Sequence, residues 1–173
     1  YIRNMHINPT NICVNGCSFC AFGKAPGFEG GYQMSLEEVF RKVESTRDRF
    51  ISEVNVVGGC HPDASYEYYV DMFQGIKDIR SGVFIQGLTA VEVAYIAEQC
   101  GRNIEEILLG FKEAGLDSIP GGGAEVFSRR IRDELCPRKL SSEGWLDIHR
   151  TAHRLDIKTN ATMLYGHIES VEE

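Results

Sequence analysis

Met5-His6-Ile7-Asn8-Pro9-Thr10-Asn11-Ile12-Cys13-Val14-Asn15-Gly16-Cys17-Ser18-Phe19-Cys20 carries an apolar, strand-like run straight into three cysteines spaced C-x3-C-x2-C. Thiolates this close can each bind a different iron of one cubane 4Fe–4S cluster, leaving the fourth iron without a protein ligand and open to a substrate or cofactor. Zinc is the rival reading. Structural zinc wants four closed ligands, usually as paired C-x2-C units, and no second pair follows within reach. Inert buried thiols are the third reading.

Beyond this loop, strand and helix signals alternate. Ser35 with Glu38 forms a capping box before Leu36, Val39, Phe40 and Val43, one apolar helical face. Val54 to Val57 reads as a buried strand closed by Gly58-Gly59, and Tyr69, Met72, Phe73 and Ile76 give the next helix its stripe. Val83 to Leu88 is a third strand. Thr89 with Glu92 caps a helix that stops at Gly101, and Asn103 starts another that ends at Gly115. Asp117 to Pro120 reads as a short fourth strand, Ser128 to Leu135 and Ser142 to Leu155 as helices, and Lys158 to Leu164 as the fifth strand. Such alternation predicts an α/β fold with a parallel sheet, as in a β/α barrel.

Parallel strands covered on both faces are nearly uniformly apolar. Here they carry His6, Asn8 and Thr10, then Asn55, then Gln86, then Asn160 and Thr162. As a set these predict an inner face that lines a polar cup. In a barrel the site forms where the strands end at their carboxyl side. The cysteine loop, Gly58-Gly59-Cys60-His61, Thr89-Ala90-Val91-Glu92 and Tyr165-Gly166-His167-Ile168-Glu169 all fall on that side.

Composition narrows the function classes. A formal net charge of −7 argues against a broad nucleic-acid surface, which needs clustered Lys and Arg. The densest basic run, Arg129-Arg130-Ile131-Arg132, reads as a solvated helix face. No apolar stretch approaches the ~20 residues of a membrane span, and Tyr1 opens on a strand pattern without a signal peptide, so a cytoplasmic protein with no membrane partner is expected. The cysteines form one cluster plus singletons at Cys60, Cys100 and Cys136, which favours a reducing compartment over a disulfide framework. Cys100 occupies an apolar helix position and is expected to be buried. His149 and His153 stand at i and i+4 on a helix, where packing is a better account than metal binding.

The C-x3-C-x2-C loop with Phe19 before its third cysteine resembles the signature of the radical S-adenosylmethionine (SAM) superfamily, and the resemblance extends over essentially the whole chain. It implies a 4Fe–4S cluster on Cys13, Cys17 and Cys20, with SAM chelating the open iron and a one-electron donor such as flavodoxin or ferredoxin supplying the electron. Radical SAM cores usually have six strands in an open barrel. The chain therefore reads as a partial (β/α) barrel, truncated relative to a TIM barrel, with about five of six β/α units. Residues 1–173 are expected to form one core domain trimmed at both ends.

Gly115-Leu116-Asp117-Ser118-Ile119-Pro120-Gly121-Gly122-Gly123-Ala124-Glu125 resembles a segment of the menaquinone (futalosine pathway) branch, shared with the F420-precursor synthases. Thr89-Ala90-Val91-Glu92, Ile148-His149-Arg150-Thr151-Ala152-His153 and Asn160-Ala161-Thr162-Met163-Leu164-Tyr165-Gly166-His167 look most like the aminofutalosine synthases, with the cyclic dehypoxanthine futalosine synthases and the F420-precursor synthases as alternatives. A non-catalytic metal-binding module is the reading from another class. The resemblance implies a transferase that adds the 5′-deoxyadenosyl radical to 3-[(1-carboxyvinyl)oxy]benzoate, an aromatic enol ether, to give 6-amino-6-deoxyfutalosine.

Carried onto this chain, the resemblance places Phe19 near the adenine and Gly58-Gly59 at the SAM amino group, with Cys60 where many superfamily members have Glu. It makes Glu125 a ribose ligand and Arg132 a partner for the SAM carboxylate, whose shape suits a guanidinium fork. Gly166 and Glu169 fall in the loop beside the adenine. His61 and His167 are candidates to protonate or orient substrate, because imidazole titrates near neutrality. Asn8, Gln86, Thr89, Glu92 and Asn160 are the candidate substrate contacts.

Overall fold

The computed structural model describes residues 1–123 and 125–173. Strands β1 (Asn4–Ile7), β2 (Glu53–Val56), β3 (Phe84–Gly87), β4 (Ser118–Ile119) and β5 (Lys158–Thr159) form one parallel sheet in the order of the sequence. Between them run α1 (Leu36–Glu44), α2 (Tyr66–Ile79), the pair α3 (Ala90–Cys100) and α4 (Ile104–Glu113), then α5 (Arg129–Leu135) and α6 (Ser142–Arg154). Sequential parallel strands joined through helices are the arrangement of a partial (β/α) barrel.

The helices begin where local chemistry satisfies their first N–H groups. Capping boxes at Ser35/Glu38, Thr89/Glu92 and Asn103/Glu106 start α1, α3 and α4. Gly101, with φ +65°, ends α3 in the left-handed conformation that glycine tolerates. The stripe of α2, Tyr69, Met72, Phe73 and Ile76, is wholly buried together with Ile7, Val54, Val56 and Ile85 of the sheet. Each such side chain contributes roughly 1.5–3 kcal/mol of transfer free energy. Phe111 of α4 locks this layer edge-on to Phe73, with ring centroids 5.6 Å apart.

Two expectations are corrected. The fifth strand keeps a continuous ladder only over Lys158–Thr159, and within the rest of the span to Leu164 pairing recurs as an isolated parallel bridge between Glu125 and Met163. Its partner strand has just two residues before Pro120, which has no N–H to donate, and Gly121 approaches Ala161 so closely that a Cβ would lie 2.4 Å from its Cα. Cys100 is exposed, because the buried stripe of α3 stops at Ala97 and Cys100 is the helix's last residue. Among the described residues no helix is long and apolar enough to cross a membrane.

Register places His6, Asn55, Gln86 and Ser118 at one level across four neighbouring strands. Three of these side chains are linked, with Asn160: Asn55 Nδ2 donates to Gln86 Oε1 at 2.9 Å, and Gln86 Nε2 donates to Ser118 Oγ at 3.2 Å and to Asn160 Oδ1 at 3.4 Å. Of the polar positions expected inside the cup, Asn55, Gln86 and Asn160 thus form a connected row with Ser118, whereas Asn8, Thr10 and Thr162 bond to loop groups instead.

Candidate active site at the carboxyl edge of the sheet

Because all five strands are parallel, the loops that follow them share one edge. The cysteine loop after β1 is braced on three sides. Thr10 is fully buried, and its Oγ1 accepts the Ile12 N–H at 3.0 Å while donating to the Tyr32 carbonyl at 2.7 Å. Cys13 N donates to Lys24 O at 2.8 Å, Val14 N to Cys60 O at 3.1 Å, and Ser18 N to Leu135 O at 2.9 Å. Arg138 Nε donates to Asn15 O at 3.3 Å, and Lys139 Nζ lies 5.1 Å from the centre of the Phe19 ring.

The glycines after β2 fit against this loop with no room for a side chain. A Cβ on Gly59 would lie 2.2 Å from Ile12 O and 2.8 Å from Cys13 Cβ, and one on Gly58 would lie 2.8 Å from Thr10 O. Gly59 N donates to Thr10 O at 3.0 Å. Asn8 Nδ2 donates to Val57 O at 2.7 Å, so Asn8 secures the end of β2.

The donor set suits an iron–sulfur cluster. The Cys13 thiol is held below its ordinary value because the Cys60 thiol pairs with it and the backbone N–H groups of Asn15, Cys60 and Gly16 face it, a setting that favours the thiolate form. That pairing, with burial, drives the Cys60 thiol far up. Burial raises the Cys17 thiol, against the pull of Lys139. Cys20 is exposed, and its Sγ accepts the Gly23 N–H at 3.3 Å. Among the described residues no three His, Cys, Asp or Glu side chains are drawn together as a ready-made metal site. A cubane spreads its thiolates over separate irons.

The loops after β3 and β4 interlock beside the glycines. Thr89 is half-buried, and a Cβ on Gly122 would lie 3.3 Å from its methyl and 3.7 Å from Glu125 Oε1, so Thr89 and Glu125 border one place. Glu125 takes φ +58°, uncommon for a side chain of its size. Its Oε1 accepts the Gly123 N–H at 2.9 Å, and its Oε2 accepts the Thr162 hydroxyl at 3.3 Å. Next to it a cavity of about 530 Å³ is lined mainly by apolar groups, among them Phe127, Trp145, Met163 and Tyr165, with Glu125 and Glu169 at its polar side.

Other candidates sit elsewhere. The Arg132 side chain is buried, and its guanidinium donates to the carbonyls of Val126, at 3.0 Å, and Leu140. Glu92 is buried and faces the backbone of Gly58 and Thr89. His61 is buried after β2, where its Nδ1 accepts the Asp63 N–H at 2.9 Å. His167 lies after β5, with Nε2 3.3 Å from Leu164 O and Nδ1 2.8 Å from Glu169 Oε2. The histidines are thus separated by the loops of β3 and β4. Glu169 also accepts the N–H groups of Gly166 and His167, which hold its carboxyl below the usual range. The metal reading of His149 and His153 finds no support: His149 stacks on Trp145 at 3.7 Å, and His153 Nε2 meets Thr159 Oγ1 at 2.8 Å.

Asn15, Arg138 and Trp145 were not anticipated from sequence. Asn15 Nδ2 donates to Cys60 Sγ at 3.3 Å, and Trp145 Nε1 donates to Gly122 O at 3.2 Å. Asn15 was within reach, lying inside the cysteine loop; the other two act across more than 20 residues and leave no local signal.

Comparison with known proteins bears on this arrangement. The chain is 42% identical over 173 residues to aminodeoxyfutalosine synthase of Thermus thermophilus, covering all of this chain and 46% of that protein. It is 44% identical over 170 residues to 5-amino-6-(D-ribitylamino)uracil--L-tyrosine 4-hydroxyphenyl transferase of Methanopyrus kandleri, covering 98% of this chain and 46% of that protein. The chain thus spans about half the length of these relatives. In fold it is similar to the crystal structure of methylornithine synthase (PylB), with a TM-score of 0.73 at 19% identity over 91% of this chain and 43% of that one. The FeFe-hydrogenase maturase HydG of Carboxydothermus hydrogenoformans gives a TM-score of 0.68 at 17% identity over 88% of this chain and 34% of that one. The profile of the radical SAM superfamily matches residues 7–173, and the chain belongs to that superfamily.

Proposed function

We propose that this chain is the cluster- and SAM-binding core of a transferase that joins the 5′-deoxyadenosyl group of SAM to an aromatic enol ether, as an aminofutalosine synthase does. The observation that carries the core reading is the packing of Gly59 on Ile12 and Cys13, which sets a side-chain-free backbone against the cysteine loop at the sheet's carboxyl edge. Bound at the cysteines, the cluster would supply the electron that splits SAM into methionine and a 5′-deoxyadenosyl radical.

The chain's own residues bind and position. Cys13, Cys17 and Cys20 offer the thiolates, Cys13 already biased to that form. Gly58 and Gly59 bring bare backbone up against the cysteine loop, where it would receive the SAM amino group, and Glu125, beside Thr89, would take the ribose hydroxyls. Phe127, Trp145 and Met163 give the adjoining cavity an apolar wall. The row Asn55, Gln86, Ser118 and Asn160 presents hydrogen-bonding groups to the substrate inside the cup.

The enol-ether reading rests on Thr89-Ala90-Val91-Glu92 and Tyr165-Gly166-His167. A second reading, a tyrosine 4-hydroxyphenyl transferase, is favoured by the 44% identity to the Methanopyrus protein. Mass spectrometry of the full-length protein, incubated anaerobically with SAM, a one-electron reductant and each substrate set, separates them. An adduct of the enol ether that retains adenosine supports the first. Free 5′-deoxyadenosine, with coupling of tyrosine to 5-amino-6-(D-ribitylamino)uracil, replaces it with the second.

A further inference from the structure

Among the described residues three capping boxes start helices, and one differs from the other two. Glu38 and Glu106 are exposed and each returns a carboxylate oxygen to its own cap N–H. Glu92 does the same for Thr89, with Oε2 accepting Thr89 N at 2.7 Å and Thr89 Oγ1 at 2.8 Å, yet it is only 3% exposed. Capping alone does not require burial, as Glu38 and Glu106 demonstrate, and burying a carboxylate is costly. Its second oxygen provides the reason: Oε1 accepts the N–H of Gly58 at 2.9 Å, across 34 residues.

We propose that Glu92 is a positioning residue for SAM binding, its buried carboxylate clamping the Gly58 N–H and so setting the Gly58-Gly59 backbone that receives the SAM amino group. The inference rests on the reading of those glycines given above.

The clamp fixes successive peptide planes. Glu92 holds the Gly58 N–H, Thr10 O holds the Gly59 N–H at 3.0 Å, and Asn8 holds the Val57 carbonyl. The Gly58 carbonyl accepts no hydrogen bond among the described residues; it shares a peptide unit with the Gly59 N–H, whose bond to Thr10 O sets its direction, while Glu92 and Asn8 fix the Val57–Gly58 unit before it. Held in this way it is a fixed acceptor, the kind of group an ammonium needs. The chain reaches this arrangement through Leu88, fully buried with φ +55°, which turns the backbone off β3 so that Thr89 can open α3. Burial pushes the Glu92 carboxyl up to about 7, and the Gly58 and Thr89 donors and the amino end of α3 offset part of that cost.

The test uses the full-length protein reconstituted anaerobically, with SAM binding read by EPR of the reduced cluster in the absence of any second substrate. In Glu92→Gln one of the two facing N–H groups meets an amide NH2. We expect unchanged iron content, SAM affinity about 10-fold to 100-fold weaker, and a diminished SAM-induced change in the EPR signal. Glu38→Gln and Glu106→Gln, matched changes in boxes without a second contact, should leave SAM affinity at the wild-type value. Hydrogen exchange in the wild-type protein needs no variant to fold: the Gly58 amide should exchange about 100-fold or more slower than an open loop amide. Wild-type SAM affinity in Glu92→Gln, an equal loss in Glu106→Gln, or open-loop exchange at Gly58 would each overturn the proposal. A wild-type protein that loads its cluster but leaves SAM unbound overturns the reading beneath it as well.

Discussion

Replacing Gly59 with alanine puts a single methyl group where the structure has none to spare. The new Cβ would lie 2.2 Å from Ile12 O and 2.8 Å from Cys13 Cβ, whereas carbon contacts are relaxed at about 3.5–4.0 Å. Both neighbours belong to backbone or to the first atom of a side chain, so no rotamer change relieves the overlap. The cysteine loop must shift by about 1 Å. Overpacking of this kind costs about 1–3 kcal/mol, or roughly 3–9 °C in melting temperature for a domain of this size. Because the displaced atom carries the Cys13 thiolate, the loss should be larger in cluster binding than in stability. Gly82→Ala is the control, since its Cβ would meet nothing within 4 Å. Iron and sulfide content after anaerobic reconstitution, with a thermal melt of the same sample, reads both effects. Wild-type melting and full iron loading in Gly59→Ala would refute the packing argument.

Further outcomes follow from other contacts. Cys17→Ala should abolish reductive SAM cleavage while Cys100→Ala, exposed at the end of α3, retains it; anaerobic product analysis distinguishes them. Burial pushes His149 from 6.5 down to about 4, so between those pH values the unfolded chain binds a proton that the folded chain refuses. Stability should therefore fall as pH drops from about 6.5 toward 4, and His149→Phe, which keeps a ring against Trp145, should flatten that part of the profile in urea titrations. Asp117 accepts both Lys77 Nζ and Ile85 N at 2.7 Å, so Asp117→Ala should cost about 1–3 kcal/mol in denaturant unfolding without altering the SAM-bound EPR spectrum.

Much of this was legible in the chain because its signals are local. The capping boxes at Ser35, Thr89 and Asn103 and the α2 stripe need only neighbours three or four residues away, and the helices begin where those residues stand. The alternation of strands and helices gave the parallel order, and the polar residues within strands gave the row from Asn55 to Asn160. What escaped depends on distant partners. Pairing past Thr159 is limited by Pro120 and Gly121, which follow β4 in the neighbouring loop. The sequence places Glu92 near a substrate, whereas its buried oxygens reach Gly58, and nothing in Thr89-Ala90-Val91-Glu92 announces a contact 34 residues away. Arg132 lies on a helix whose other arginines are exposed, and only the folded loop reveals the Val126 and Leu140 carbonyls that engage it.

The most direct measurement is the EPR spectrum of the full-length protein, reconstituted without oxygen and reduced, recorded before and after SAM is added. An open iron beside the Gly58-Gly59 backbone predicts about four irons and four sulfides per chain and a signal whose g-values move when SAM binds. A chain that takes up one zinc in place of iron, or a cluster whose signal SAM leaves unchanged, would contradict the assignment of Cys13, Cys17 and Cys20.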